Sequence, residues 1–263
     1  MKDLGITWVY NWSSSIWYQG KDNVKMSDNF WGQPSSKVLS TKTPSNPNGI
    51  QYVPMIWGPN YLHPFDLNIA KWGADEYGSG TVLGFNEPDH LEQSNMTVKQ
   101  AIDGWPQLMS IPGVRLGSPA TAGDATTGWF ADFWQQAMAK SYRIDFICVH
   151  WYGVDVSDPS KMVDELEDHL KAVHDKYGKN IWLTEFALLG FSQVSPGVYK
   201  SAFPSDDNQK IFAQKAVAML ERLSFVERYA WFALPKSSTD SAANNHLVNA
   251  DLSLTKAGEG YSA

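Results

Sequence analysis

Apolar residues fall along this chain in short runs, separated by stretches with helical spacing. Seven runs read as strands, at 5–11, 51–57, 81–86, 114–118, 144–151, 180–186 and 226–232. The intervening stretches 67–77, 97–110, 129–141, 159–177 and 206–223 read as helices. The clearest helix is 159–177, where Met162, Val163, Leu166, Leu170, Val173 and Tyr177 form one apolar stripe. Asp158 can cap its start, Pro159 suits its first turn, and Gly178 suits its carboxyl-terminal stop.

Strands alternating with helices predict a parallel sheet, and strands apolar throughout predict one covered on both faces. No Gly-x-Gly-x-x-Gly follows the first strand, which argues against a dinucleotide-binding fold. The pattern predicts an α/β protein with a (β/α)8 TIM-type barrel, as one domain over residues 1–263. Seven strands are countable, and a weaker candidate near 246–252 leaves one β/α unit incomplete or atypical. Two long irregular connections are expected. The first, 12–49, carries Trp12, Trp17, Tyr18, Phe30 and Trp31; the second, 188–203, carries Phe191, Tyr199 and Phe203. In a barrel, both would lie over the carboxyl ends of the strands, where active sites form.

Composition narrows the function classes. The 263 residues are 43% hydrophobic and 19% charged, enough for a sizeable core and unlike a disordered chain. The net charge of −7 argues against nucleic acid or an anionic membrane as partner. Cys148 is the single cysteine, which excludes an internal disulfide and a cysteine zinc site and leaves the compartment open. No stretch reaches transmembrane length, and the amino terminus lacks an apolar signal core. The expectation is a secreted or extracellular monomer whose export signal belongs to a longer precursor. Twelve tryptophans are the compositional outlier, several of them in the predicted loops.

The candidate chemistry lies at two strand ends. Thr81-Val82-Leu83-Gly84-Phe85 runs into Asn86-Glu87-Pro88, where Pro88 cannot continue a ladder. Ile181-Trp182-Leu183-Thr184 leads likewise to Glu185. Two such carboxylates in aromatic company suggest glycoside hydrolysis, in which one protonates the leaving oxygen and the other acts from the opposite face. At a separation of roughly 5 Å the second attacks directly and configuration is retained. A lone strand-end glutamate more often caps a helix or meets an arginine; the pair reverses those odds. Asn86 is placed to bind a sugar 2-hydroxyl or, alternatively, to form the turn before Pro88. His150 either tunes a carboxylate or is a satisfied core histidine, and Tyr152 either holds the nucleophile or caps a rim. Trp12, Trp57, Trp151 and Trp231 end strands where an indole can stack on a sugar, against a default core role. Tyr10 and Asn60 complete the expected substrate-binding set. Histidines lack metal-ligand spacing, and neither a Gly-x-Ser-x-Gly elbow nor a phosphate loop is present, so no metal or cofactor is expected.

Taken together, Gly84-Phe85-Asn86-Glu87-Pro88-Asp89, His150-Trp151-Tyr152, Trp182-Leu183-Thr184-Glu185-Phe186 and Val9-Tyr10-Asn11-Trp12 resemble glycoside hydrolase family 128. So do Val53-Pro54-Met55-Ile56-Trp57-Gly58 and Tyr229-Ala230-Trp231-Phe232. The resemblance implies a retaining endo-β-1,3-glucanase on a clan A barrel, with Glu87 as acid/base, Glu185 as nucleophile and β-1,3-glucan as partner. Two alternatives stay open. One is a clan A hydrolase of other linkage, such as a β-1,4-mannanase or β-1,6-glucanase; the other is a non-catalytic glucan-binding cell-wall protein.

Overall fold

A computed structural model describes residues 4–16, 49–195, 198–234 and 242–263. Trp17, Tyr18, Phe30 and Trp31, expected in the first long loop, lie outside the described residues. The backbone gathers into two compact units: Ile6–Thr121 with Thr127–Asp145, and Met1–Gly5 with Ala122–Thr126 and Phe146–Ala263.

In the first unit, β1 (Trp8–Val9) pairs in parallel with β2 (Gln51–Tyr52), and β3 (Thr81–Val82) with β4 (Arg115–Leu116). Single parallel bridges, Met55 to Leu83 and Asn86 to Ala120, extend the series. The regular ladders are short for a local reason, since Pro54 has no N–H and interrupts the β2 run while its carbonyl still accepts from the Leu83 N–H at 2.8 Å. Helices α1 (Pro64–Glu76), α2 (Val98–Met109) and α3 (Gly128–Ala139) follow. A capping box starts α2: the Thr97 hydroxyl accepts from the Gln100 N–H, and the Gln100 side chain accepts from the Thr97 N–H. The core joins Val82 of β3, with Ile56 and Phe85 from the segments that follow β2 and β3, to helix residues Trp105, Leu108 and Phe133. The Trp105 indole is fully buried and donates to the Arg143 carbonyl at 3.0 Å, so its polar atom is satisfied.

In the second unit, β5 (Ile147–Gly153), β6 (Ile181–Leu188) and β9 (Val226–Trp231) form a parallel sheet with β6 in the centre. Every residue of β6 is buried, as a strand covered on both faces requires. Helix α4 (Pro159–Tyr177) buries the whole predicted stripe, with the Asp158 carboxylate accepting from the Lys161 N–H and Gly178 closing it at φ 62°. Helix α5 (Asp206–Arg222) starts at Ser205, and a short α6 (Lys256–Tyr261) near the carboxyl terminus completes the helices.

Two expectations are corrected here. Much of the second long loop is an antiparallel hairpin, β7 (Gly190–Ser195) and β8 (Val198–Ala202), with Gly190 opposite Ala202. Residues 246–252 supply no further parallel strand; Val248 makes one antiparallel bridge to Leu254. The α/β architecture with parallel strands is present. Among the described residues the hydrogen bonds define four separate sheets and no closed barrel.

Candidate active site

Glu185 is set in place by an irregularity in the central sheet. Pairing runs Ile147 to Ile181, Cys148 to Trp182 and Val149 to Leu183, then shifts so that His150 lies level with Glu185. Thr184 is the extra residue, its hydroxyl donating to the Val149 carbonyl at 3.3 Å. A bulge of this kind re-aims the side chains beyond it. Glu185 is 5% exposed and His150 4% exposed. A carboxylate removed from water to that degree needs donors. The Tyr152 hydroxyl donates to Glu185 Oε2 at 2.5 Å, and His150 Nε2 lies 3.6 Å from Oε1. The Tyr152 ring is held from two directions, edge-to-face with Phe191 at 5.6 Å and with Phe232 at 5.8 Å. Phe191 is 48% exposed on β7, so a large apolar face borders the hydroxyl that grips Glu185. In the sequence Phe191 is only a loop aromatic and Phe232 only part of an apolar run; the role of both rings depends on tertiary packing around Tyr152.

Glu87 belongs to the first unit and has a different setting. It is half-buried, and its φ of 40° lies in the left-handed region, where a residue with a long side chain is strained. Its N–H donates to the Ala120 carbonyl at 2.7 Å, and its carbonyl accepts from the His90 N–H at 3.0 Å. Asn86 is the hub of the turn. Its N–H donates to the Trp57 carbonyl, its carbonyl accepts from the Ser94 N–H, and its amide donates to Gln93 Oε1 at 3.1 Å. Asn86 Oδ1 is buried and has no hydrogen-bond partner among the described residues. Just before this turn, Gly84 allows a close approach to the chain that follows β4, because a Cβ there would sit 2.8 Å from the Ser118 carbonyl oxygen.

The aromatic candidates divide. Tyr10 and Trp12 meet edge-to-face at 5.3 Å, and Trp57 meets Tyr61 at 6.3 Å; all four are half-buried. Asn60 is exposed in the 3-10 turn Pro59–Tyr61. Trp151 is half-buried with Phe212 parallel to it at 6.1 Å. Trp231 is the correction, because it is 7% exposed and packed among Phe186, Phe212 and Tyr261. Its indole N–H donates to the Asn245 carbonyl at 2.5 Å, so this ring is core rather than a sugar platform.

Comparison with known proteins agrees with this chemistry. The sequence profile of the family described as glycosyl hydrolase catalytic core matches residues 1–261. A family 128 (subgroup I) endo-β-1,3-glucanase from Amycolatopsis mediterranei, solved in complex with laminaritriose, is 36% identical with a TM-score of 0.77. That alignment covers 99% of this chain and 91% of the enzyme. A family 128 (subgroup II) endo-β-1,3-glucanase from Sorangium cellulosum is 25% identical with a TM-score of 0.70, over 100% of this chain and 93% of that one. Alkali-sensitive linkage protein 1 of Schizosaccharomyces pombe is 30% identical over 265 residues; the match takes in 93% of this chain but only 43% of that longer protein. Profile, identity and fold agree that the chain belongs to the glycosyl hydrolase catalytic core family and, within it, to glycoside hydrolase family 128.

Proposed function

We propose that the protein is an endo-β-1,3-glucanase that cleaves by double displacement, with Glu185 as nucleophile and Glu87 as acid/base. The observation that carries the substrate is the 36% identity, over 99% of the chain, with an endo-β-1,3-glucanase in complex with laminaritriose. Glu185 Oε1 or Oε2 attacks the anomeric carbon as the glycosidic C–O bond breaks, and the Glu87 carboxyl gives its proton to the departing oxygen. Glu87 then takes a proton from a water molecule, whose oxygen displaces Glu185 and restores both groups. Support for the nucleophile comes from its surroundings: a carboxylate held at 2.5 Å by Tyr152 has little freedom to turn away from its target.

Asn86 Oδ1, lacking a hydrogen-bond partner among the described residues, is the proposed acceptor for a sugar hydroxyl. Tyr10, Trp12, Trp57 and Trp151 are the proposed stacking surfaces for successive glucose units, with Asn60 at their edge. The reading includes a single (β/α)8-type catalytic domain, supported by the parallel strand order within each unit. It also includes a monomer that acts outside the cell, where a polymeric glucan too large to cross a membrane would be met.

The test is product analysis on laminarin beside β-1,4-mannan, β-1,6-glucan and cellulose. Laminarin alone should shorten from within its chains, and early proton NMR should show the β-anomer. Glu185→Gln should abolish turnover without changing the melt. Glu87→Gln should lose glucan cleavage but keep partial activity on substrates with good leaving groups, which need no acid. Turnover of another linkage with laminarin untouched, or an α-anomer appearing first, refutes the proposal.

A further inference from the structure

Trp12 follows β1 after Tyr10 and Asn11 and has φ at 57°, in the left-handed region that glycine and asparagine favour and bulky residues rarely adopt. Such a conformation persists only where its surroundings over-determine it. Here they do. The Tyr52 hydroxyl, itself buried, lies 2.7 Å from Asn11 Oδ1 and 2.8 Å from the Ser13 carbonyl oxygen. The Met55 N–H donates to the same Ser13 carbonyl at 2.9 Å. The Asn11 amide donates to the carbonyls of Ser15 and Ile16, at 3.2 and 3.4 Å. On the far side, the buried Ser14 hydroxyl donates to Asp66 Oδ1 at 2.8 Å, across 52 positions of sequence. His63 Nε2 meets Asp66 Oδ2 at 2.9 Å, which secures the carboxylate from the amino-terminal turn of α1. Burial pushes the Tyr52 hydroxyl far above its ordinary range, so it stays a donor at every working pH.

A plain turn needs none of this. Glycine or asparagine at position 12 would form the same backbone with less strain, yet a tryptophan stands there, with residues on both sides of it fixed by hydrogen bonds. We infer that Asp66 and Ser14 are positioning residues that hold Trp12 in its strained conformation and thereby fix its indole as a stacking face for a glucose ring. The inference rests on the glucanase reading for the identity of the ligand, and on the geometry alone for the clamp.

Steady-state kinetics on laminarihexaose and fluorine NMR of protein labelled with 5-fluorotryptophan test the two parts separately. Asp66→Ala and Ser14→Ala should raise KM about tenfold, the loss of roughly one aromatic stack, with kcat held within about twofold. Asp66→Asn keeps an oxygen for the Ser14 hydroxyl and should restore KM. Trp12→Ala should raise KM by a similar factor, and adding Asp66→Ala to it should change nothing further, because a positioning residue has no effect once its target is gone. The Trp12 resonance, assigned by its disappearance in Trp12→Phe, should move in Asp66→Ala and stay in Asp66→Asn. An unmoved resonance, or KM losses that multiply in the double variant, overturns the clamp. Failure of the wild-type protein to bind laminarihexaose refutes the glucan reading instead, and the resonance still decides the clamp.

Discussion

Replacing Tyr152 with phenylalanine isolates one hydrogen bond. The ring stays, and so do its edge contacts with Phe191 and Phe232 at 5.6 and 5.8 Å; only the hydroxyl, 2.5 Å from Glu185 Oε2, is removed. Because the acceptor is a carboxylate that is 5% exposed, the bond belongs with those to charged groups, each contributing about 1.5–3 kcal/mol. His150 at 3.6 Å from the other oxygen is beyond good hydrogen-bond range and does not replace the lost donor. If this energy orients Glu185 for attack, its loss lowers kcat by about 10- to 150-fold, at about 1.4 kcal/mol per tenfold. KM should change little, since the hydroxyl is engaged with Glu185. The assay is kcat and KM on laminarihexaose, paired with a thermal melt to show that the fold survives. A kcat within about threefold of wild type would falsify the positioning argument, as would a melt lowered enough to account for the lost activity.

Three further outcomes follow from the packing and charges. Gly84→Ala should cost roughly 1–3 kcal/mol in urea unfolding, because its Cβ would lie 2.8 and 2.9 Å from the carbonyl oxygens of Ser118 and Gly117, backbone atoms that cannot swing aside. An unchanged unfolding midpoint would show that the strands separate freely. Trp231→Ala should lose about 3–5 kcal/mol as a core deletion, and a stable variant that has lost only glucan binding would return Trp231 to the substrate surface. Burial lowers the pKa of His169 from its ordinary 6.5, with Asp124 at 3.8 Å pulling weakly the other way. The unfolded chain therefore binds the proton first, so the contribution is complete above pH 6.5 and is lost as pH falls through the lowered folded value. Stability measured from pH 7.5 downward should decline less in His169→Gln than in wild type; identical slopes would rule His169 out as the cause.

Much of the secondary structure was legible because its causes are local. The α4 stripe, its Asp158 cap and its Gly178 stop all lie within one stretch of twenty-one residues, so periodicity and capping chemistry settle them before any tertiary contact forms. Each glutamate was legible as the carboxylate closing an apolar run, but not its place on the strand, since Glu185 lies inside β6 and Glu87 lies past the end of β3. The β7–β8 hairpin is not legible in the same way, because the aromatic and polar residues of 190–202 read equally well as loop composition and as strand alternation.

Tertiary structure decided what depends on distant chain. An indole suits a core and a sugar face equally well, and Trp231 became core only because Phe186, Phe212, Tyr261 and the Asn245 carbonyl close around it. The register shift that brings Glu185 level with His150 requires two strands side by side, so no spacing within either strand reveals it. The left-handed backbone at Trp12 and Glu87 is of the same kind. Local preference opposes both, and each is held by partners, such as Asp66 for the Trp12 turn and Ala120 for Glu87, that only folding brings near. The chain by itself determined where apolar runs lead into carboxylates and aromatic rings, because hydrophobic period is a short-range property. Which of them line a site and which fill the core was left to packing, because burial is a property of the whole fold.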